Sequence, residues 1–270
     1  MVVMDDMGRF SISLLSGHLG GANELAERLA GIAGGQAVIT TATDIHGRFA
    51  VDLFAKEQGL VITDLRKIKM ISSAILKGET VGFHCDFPVS GKLPSGLIPG
   101  EASGANLWIT MKESGKEESL NGSLKLVPRL LVLGIGCRKG VPAKTIEWVL
   151  DRFFKEWNLS PEALAACASI DLKKEEEGIC QLAASKGVPY YTYPAVVLEE
   201  TEGEFTSSSF VKQVTGVDNV CERAALACVK ELGGGKLLVK KQAADGVTAA
   251  VAVRDWKVQL DPHNSLGGNL

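Results

Sequence analysis

With 270 residues, 46% of them hydrophobic, the chain is long enough for about two domains of ~150 residues each and apolar enough to fill real cores, which excludes disorder for most of its length. A formal net charge of −3 offers no global attraction to nucleic acid or to an anionic membrane, so an anionic partner has to meet a local basic loop. The apolar runs fall short of the ~20 residues of a membrane helix, and six dispersed cysteines with no C-x-x-C pair, beside four unclustered histidines, argue against structural zinc and for a reducing cytoplasm.

The first residues carry no secretory pattern and read at once as strand: "VVM" and "RFSISLL" form a hairpin through "DDMG", where Gly8 can take a positive φ. From Gly20 onward Ala22, Leu25, Ala26, Leu29 and Ala30 fall at helical spacing, and "QAVITTATD" reads as a buried strand ending at Asp44, which completes a βαβ-like unit. In the next region Ile68, Ile71, Ile75 and Leu76 line a helix that Asp64 can cap and Gly78 can stop. "ETVGFHCDF" and "LWIT" are strands on either side of a Gly/Pro/Ser loop, and "KESGKEESLNGSLKLVP" is polar and turn-rich. A domain boundary is placed in that polar stretch.

Beyond it, "RLLVLGIGCRKG" is an apolar strand entering a glycine-rich turn, and "PAKTIEWVLDRFFKEW" is an amphipathic helix with Pro142 in its first turn. "ALAACASID" and "PYYTY" are further strands, separated by the helix "KEEEGICQLAASKG" that Gly187 stops. "VCERAALACVKELGG" is a helix with Asn219 as its cap, and "KLLVKKQAADGVTAAVAV" is a terminal hairpin. Repeated strand-helix alternation gives an α/β fold: a partial N-terminal α/β domain at 1–44, a variable middle region at 45–126, a C-terminal α/β domain at 127–262 and a tail at 263–270.

Two stretches carry the chemistry. In "GIGCRKG", Gly134, Gly136 and Gly140 let the backbone approach a ligand, free N–H groups at a helix start favour an anion, and Arg138 and Lys139 add charge beside Cys137. The glycine spacing fits neither a dinucleotide fingerprint nor a P-loop. In "SGHLGGAN", Ser16, His18 and Asn23 surround Gly17, Gly20 and Gly21 at a helix start; His18 has the chemistry of a general acid or base, while Ser16 and Asn23 alone suit caps. Thr41 and Asp44 end the following strand, and Ser169 and Asp171 end another, where α/β ligands bind. Glu175 to Glu177 read as helix-start acids, Cys221 and Cys228 as core. No serine stands in G-x-S-x-G, so no nucleophile elbow is present. These patterns support an anion-binding α/β enzyme.

The ordered set "LLSGHLGGANELA", "VITTATD", "LVLGIGCRKG", "SIDLKKEEEG", "GVDNVCERAAL" and "LLVKKQAADGVTAAVA" resembles the cobalt-precorrin-5A hydrolases of anaerobic cobalamin biosynthesis, most weakly between Gly78 and Lys125. The resemblance implies an enzyme that opens the δ-lactone of cobalt-precorrin-5A and expels the former meso carbon with its methyl as acetaldehyde, giving cobalt-precorrin-5B. It implies no cofactor, since the cobalt belongs to the tetrapyrrole substrate, and other cobalamin-pathway enzymes as partners in the cytoplasm, with no nucleic acid and no membrane. On this view His18 is the catalytic base, while Ser16, Gly17, Gly20, Gly21, Asn23, Thr41, Asp44, Gly134, Gly136, Cys137, Arg138, Lys139, Ser169 and Asp171 contact the substrate. Family members carry some tens of residues ahead of the position of Val2, so the N-terminal domain is expected to be incomplete here. Glu177 stands where the family often has proline, and Asp218 and Arg223 also depart from its pattern. A second reading, a tetrapyrrole-binding or handover protein without catalysis, rests on the short first domain and on the likeness of the C-terminal domain to a stand-alone protein of the aerobic pathway.

Overall fold

The computed structural model describes residues 1–14, 20–39, 49–115 and 122–260. They divide into two compact units, one of Met1–Thr110, Gly115–Pro128 and the described residues from Lys257 on, the other of Met111–Ser114 and Arg129–Trp256. Both are mixed α/β.

The first unit opens with β1 (Val2–Met4) antiparallel to β2 (Phe10–Ser13), joined by a turn in which Gly8 has φ 67°. Helix α1 (Ala22–Ala33) carries the chain to β3 (Gln36–Ile39), parallel to β2, so the βαβ unit forms as the pattern predicts. The buried face of α1 is a stripe of Ala22, Ala26 and Ala30, while Leu25 is 46% exposed. Alanine lets the helix axis sit close to the sheet, and this close approach overrides the larger apolar side chain that the spacing had placed inside.

The second sheet of this unit follows from α2 (Val51–Glu57), β4 (Leu60–Ile62), α3 (Arg66–Leu76), β5 (Val81–Cys85), β6 (Val89–Ser90), β7 (Leu97–Pro99), β8 (Ala105–Ile109) and β9 (Ser123–Pro128). Its order is β4-β9-β8-β5-β7, all neighbours parallel except β4 with β9. Asp64 accepts a hydrogen bond from the Arg66 N–H at the start of α3, and Gly78, at φ 78°, follows its end. Ile71 and Ile75 are buried as expected, whereas Leu76 is 39% exposed. β9 corrects the reading of "KESGKEESLNGSLKLVP" as turn-rich throughout. "SLKLVP" alternates well enough to pair on both edges, with Leu124 and Leu126 fully buried. The short strand Val258–Gln259 returns to pair with β6.

The second unit holds β10 (Leu131–Cys137), α4 (Ala143–Glu156), β11 (Leu164–Ile170), α5 (Glu177–Ser185), β12 (Tyr190–Tyr193), α6 (Ala195–Glu200), α7 (Ser209–Thr215), α8 (Cys221–Glu231), β13 (Gly235–Ala244) and β14 (Val247–Arg254). The sheet order is β12-β11-β10-β14-β13: β10, β11 and β12 run parallel, and β14 runs antiparallel to both β10 and β13. β10 is apolar at consecutive positions because helices cover both its faces, and Leu131, Val132, Leu133 and Ile135 are all fully buried. Pro142 stands at the N-cap of α4, one residue ahead of the first turn. Ile146, Val149, Leu150, Phe153 and Phe154 bury the helix's apolar stripe, each worth roughly 1.5–3 kcal/mol of burial. On the opposite face α8 packs Ala224, Ala225 and Cys228 into a core with Val132, Ala166, Ala168 and Ile170. The β13–β14 turn is the pair Asp245 (φ 48°) and Gly246 (φ 77°), the positive-φ dipeptide that a two-residue hairpin requires.

Candidate functional site

The side of the second unit that positions chemistry is the edge where β10, β11 and β12 end. Side chains there hang from turns and not from the packed sheet, and in open α/β sheets this edge is where ligands bind. β10 ends in Gly136 and Cys137 and runs into a turn of Arg138, Lys139 and Gly140, all three exposed. The Arg138 N–H donates to the Gly246 carbonyl at 2.9 Å, and the Arg138 stem lies against Gly246. The hairpin tip therefore fixes where the turn begins. A basin of about 450 Å³ opens at this tip, lined by Lys144, Thr145, Trp148 and Asp245. Trp148 is 51% exposed, with the Arg152 guanidinium 4.8 Å from its ring centroid.

The second half of the turn is tied to the next strand end. The Gly140 N–H donates to Glu176 Oε1 at 2.7 Å, and Lys173 Nζ donates to Glu176 Oε2 at 2.6 Å. The Tyr190 hydroxyl donates to the Lys173 carbonyl at 2.9 Å, which adds β12 to the same assembly. Lys173 first, and the Gly140 N–H after it, hold the Glu176 carboxyl below its ordinary value against the opposing effect of burial. Burial pushes the Cys137 thiol up, with Lys173 opposing and Glu176 adding to the shift, so Cys137 is a neutral thiol beside an ion pair.

Among the sequence-predicted residues of this edge, two are committed to packing. Gly134 is buried against α8, where an added Cβ would lie 1.7 Å from the Cys221 carbonyl oxygen. Its lack of a side chain serves the approach of a helix, which corrects the expectation that all three glycines of "GIGCRKG" are open to a ligand. Ser169 is fully buried, and its hydroxyl donates to the Ile135 carbonyl at 2.7 Å, a cross-strand tie. Asp171 is exposed at the end of β11. Gly136 and Cys137 are half-buried, and Thr248 Oγ1 donates to the Gly136 carbonyl at 3.3 Å. The Gly140 N–H is taken by Glu176, a residue read from sequence as a helix-start acid only. The available signal was Lys173 three residues ahead of it, a spacing at which side chains meet on a helical turn.

In the first unit Gly21, at φ 68°, is the N-cap of α1, and Asn23 Oδ1 accepts a hydrogen bond from Ser13 Oγ at 2.6 Å, tying the end of β2 to the helix. Gly20 is exposed ahead of it. Ser16, Gly17, His18, Thr41 and Asp44 lie outside the described residues, as does the tail from His263. No group of three or more metal-binding side chains occurs among the described residues, and no helix among them is long and apolar enough to cross a membrane.

Three family models match the chain in order: the cobalamin synthesis G N-terminal model at residues 1–44, the cobalamin biosynthesis central region at 49–128 and the cobalamin synthesis G C-terminus at 131–252. The chain is 35% identical to the cobalt-precorrin-5A hydrolase of Salmonella typhimurium over 264 residues, which cover 94% of this chain and 74% of that protein. It is 32% identical to the cobalt-precorrin-5A hydrolase of Priestia megaterium over 269 residues, covering 94% and 71%. A solved structure of CobE, a protein from the cobalamin (vitamin B12) biosynthetic pathway, is 37% identical over 47% of this chain and 91% of its own, with a TM-score of 0.44. With matches of this identity and extent to enzymes of one kind, the chain belongs to the cobalt-precorrin-5A hydrolase family of cobalamin biosynthesis.

Proposed function

We propose that this chain opens the δ-lactone of cobalt-precorrin-5A and releases acetaldehyde, giving cobalt-precorrin-5B. The observation that carries the reading is the 35% identity to a cobalt-precorrin-5A hydrolase over 94% of the chain. The exposed Arg138 and Lys139 at the end of β10 support it physically. A tetrapyrrole ringed by carboxylates needs cations on fixed turns, and an indole such as Trp148 offers an apolar face beside them. Attack of water on the lactone carbonyl needs a base to take the water proton and donors for the carbonyl oxygen, which becomes anionic as the new C–O bond forms. Collapse of that adduct breaks the ring C–O bond, and the freed oxygen becomes the aldehyde oxygen of acetaldehyde as the C–C bond to the macrocycle breaks, its electron pair staying on the macrocycle. We assign the base to His18. The cobalt travels with the substrate, and six free thiols among the described residues fit the cytoplasm as its compartment.

The test is incubation with cobalt-precorrin-5A and mass analysis of both products. Acetaldehyde together with cobalt-precorrin-5B supports the reading. A corrinoid spectral shift without acetaldehyde replaces it with binding or handover alone. Within that assay, Arg138→Ala combined with Lys139→Ala is expected to weaken substrate binding while leaving the thermal unfolding midpoint in place. Both side chains are exposed, and each charge-assisted bond to a substrate carboxylate is worth roughly 1.5–3 kcal/mol. Unchanged affinity would remove the two cations from the site. His18→Asn is expected to retain binding and lose turnover by ~10²–10⁴-fold, the usual scale of a lost proton transfer. Full turnover in that variant would move the base elsewhere.

A further inference from the structure

The glycine-rich turn after β10 holds a carboxylate of its own. Glu176 stands at the N-cap of α5, one strand connection away, and its side chain is only 10% exposed. One oxygen takes the Gly140 N–H at 2.7 Å and the other takes Lys173 Nζ at 2.6 Å, so both are committed inside the protein. The start of α5 closes on the same turn from below, because a Cβ at Gly178 would lie 2.3 Å from the Val141 carbonyl oxygen. Gly140 itself has φ 76°, a left-handed conformation with no intrinsic preference over the right-handed one for glycine. Something outside the turn has to select it, and the Glu176 carboxylate is the group bonded there.

We propose that Glu176 is a positioning residue for substrate binding: its carboxylate, anchored by Lys173, pins the turn at Gly140 and thereby presents Arg138 and Lys139 outward to the carboxylates of the substrate. The substrate is then met by the two side chains and not by the Gly140 N–H, which is already occupied. The opposite end of the turn is pinned independently by the Arg138 N–H on Gly246, so Arg138 and Lys139 sit between two fixed points. Such preorganisation lowers the ordering cost that two long cationic side chains and a glycine turn otherwise pay on binding. The part of the inference that concerns substrate rests on the proposed function; the part that concerns the turn does not.

Two variants and two measurements test it. Glu176→Ala removes both bonds, whereas Glu176→Gln keeps an amide oxygen for the Gly140 N–H but turns its NH₂ toward Lys173 and loses that anchor with the charge. For cobalt-precorrin-5A, Glu176→Ala is expected to raise Kd and KM by about tenfold to a hundredfold, the scale of a lost charge-assisted contact, with kcat little changed. Glu176→Gln is expected to recover part of that loss. Amide hydrogen exchange at Gly140 reads the turn without any substrate: protection should fall in Glu176→Ala and largely return in Glu176→Gln. Unchanged exchange at Gly140 in Glu176→Ala overturns the proposal whatever the substrate does. Altered exchange with parental Kd and KM overturns its binding half. A parent protein that neither binds nor converts cobalt-precorrin-5A sinks the proposed function and, with it, the binding half, while the exchange result still decides the turn.

Discussion

Gly134→Ala is expected to cost the second unit about 3 kcal/mol or more, the upper end of what overpacking does in a close-packed core. The new Cβ would lie 1.7 Å from the Cys221 carbonyl oxygen, 2.7 Å from its carbonyl carbon and 2.9 Å from Ala225 Cβ. The first two are main-chain atoms of the opening turn of α8, so no rotamer change relieves the clash. Either the helix start lifts off β10 or the strand bends, and both disturb a core in which Val132, Ala224 and Ala225 have almost no accessible surface. Gly136→Ala, two residues along the same strand, is the control. There the near atom is Thr248 Oγ1 at 2.8 Å, the end of a side chain, and a cost of about 1 kcal/mol is expected. Urea unfolding of the two variants decides it. A small and equal loss in both would mean that α8 slides without penalty and that Gly134 is not a packing glycine.

The contrast between these glycines marks what sequence can and cannot convey. "GIGCRKG" announces a strand entering a turn, because an apolar run followed by glycines and a proline leaves few other options. It does not announce which glycine faces a helix, since the atom that fills the space above Gly134 belongs to Cys221, 87 positions later. Local signals were legible wherever the deciding partner is close in sequence. Gly8 in its turn, the Asp245–Gly246 hairpin and the Asn219 cap, whose Oδ1 takes the Glu222 N–H at 2.9 Å, are of this kind. Glu176 was passed over because Gly140, which identifies its role, is 36 residues away. β9 was missed because the polar residues ahead of it dominate a window that its own alternation, Leu124 and Leu126 inward, cannot outweigh.

Asp218 and Arg223 bond to one another at 2.9 Å. Arg223 also donates to the carbonyls of Leu198, Glu199 and Thr201 and lies 4.4 Å from the Phe205 ring centroid. One side chain thus joins the segment around Asp218 to the end of α6. Glu177 is the first residue of α5, a position that favours an acid for its interaction with the helix dipole.

Glu222→Ala is expected to destabilise the second unit by about 3–5 kcal/mol, the scale of breaking a buried, fully bonded charge. Glu222 has no accessible surface, and its carboxylate accepts the Thr206 N–H at 2.8 Å, the Thr206 hydroxyl at 2.9 Å and the Lys241 N–H at 2.6 Å. The Lys241 bond answers a structural need. β13 shifts register against β14 between Val239 and Gln242, so the ladder is interrupted where Lys241 stands, and the carboxylate supplies an acceptor at that point. The Thr206 bonds tie down the connection between α6 and α7 in the same way. Truncation leaves these donors without their acceptor, at about 1–3 kcal/mol for each that remains buried and unsatisfied. Glu222→Gln keeps one acceptor oxygen but turns an NH₂ group toward donors, and an intermediate loss is expected. Urea denaturation measures the totals, and hydrogen exchange at Thr206 and Lys241 reports where the loss falls. A cost below about 1 kcal/mol for Glu222→Ala would mean that water replaces the carboxylate at both sites, and the bulge in β13 would then need another source of support.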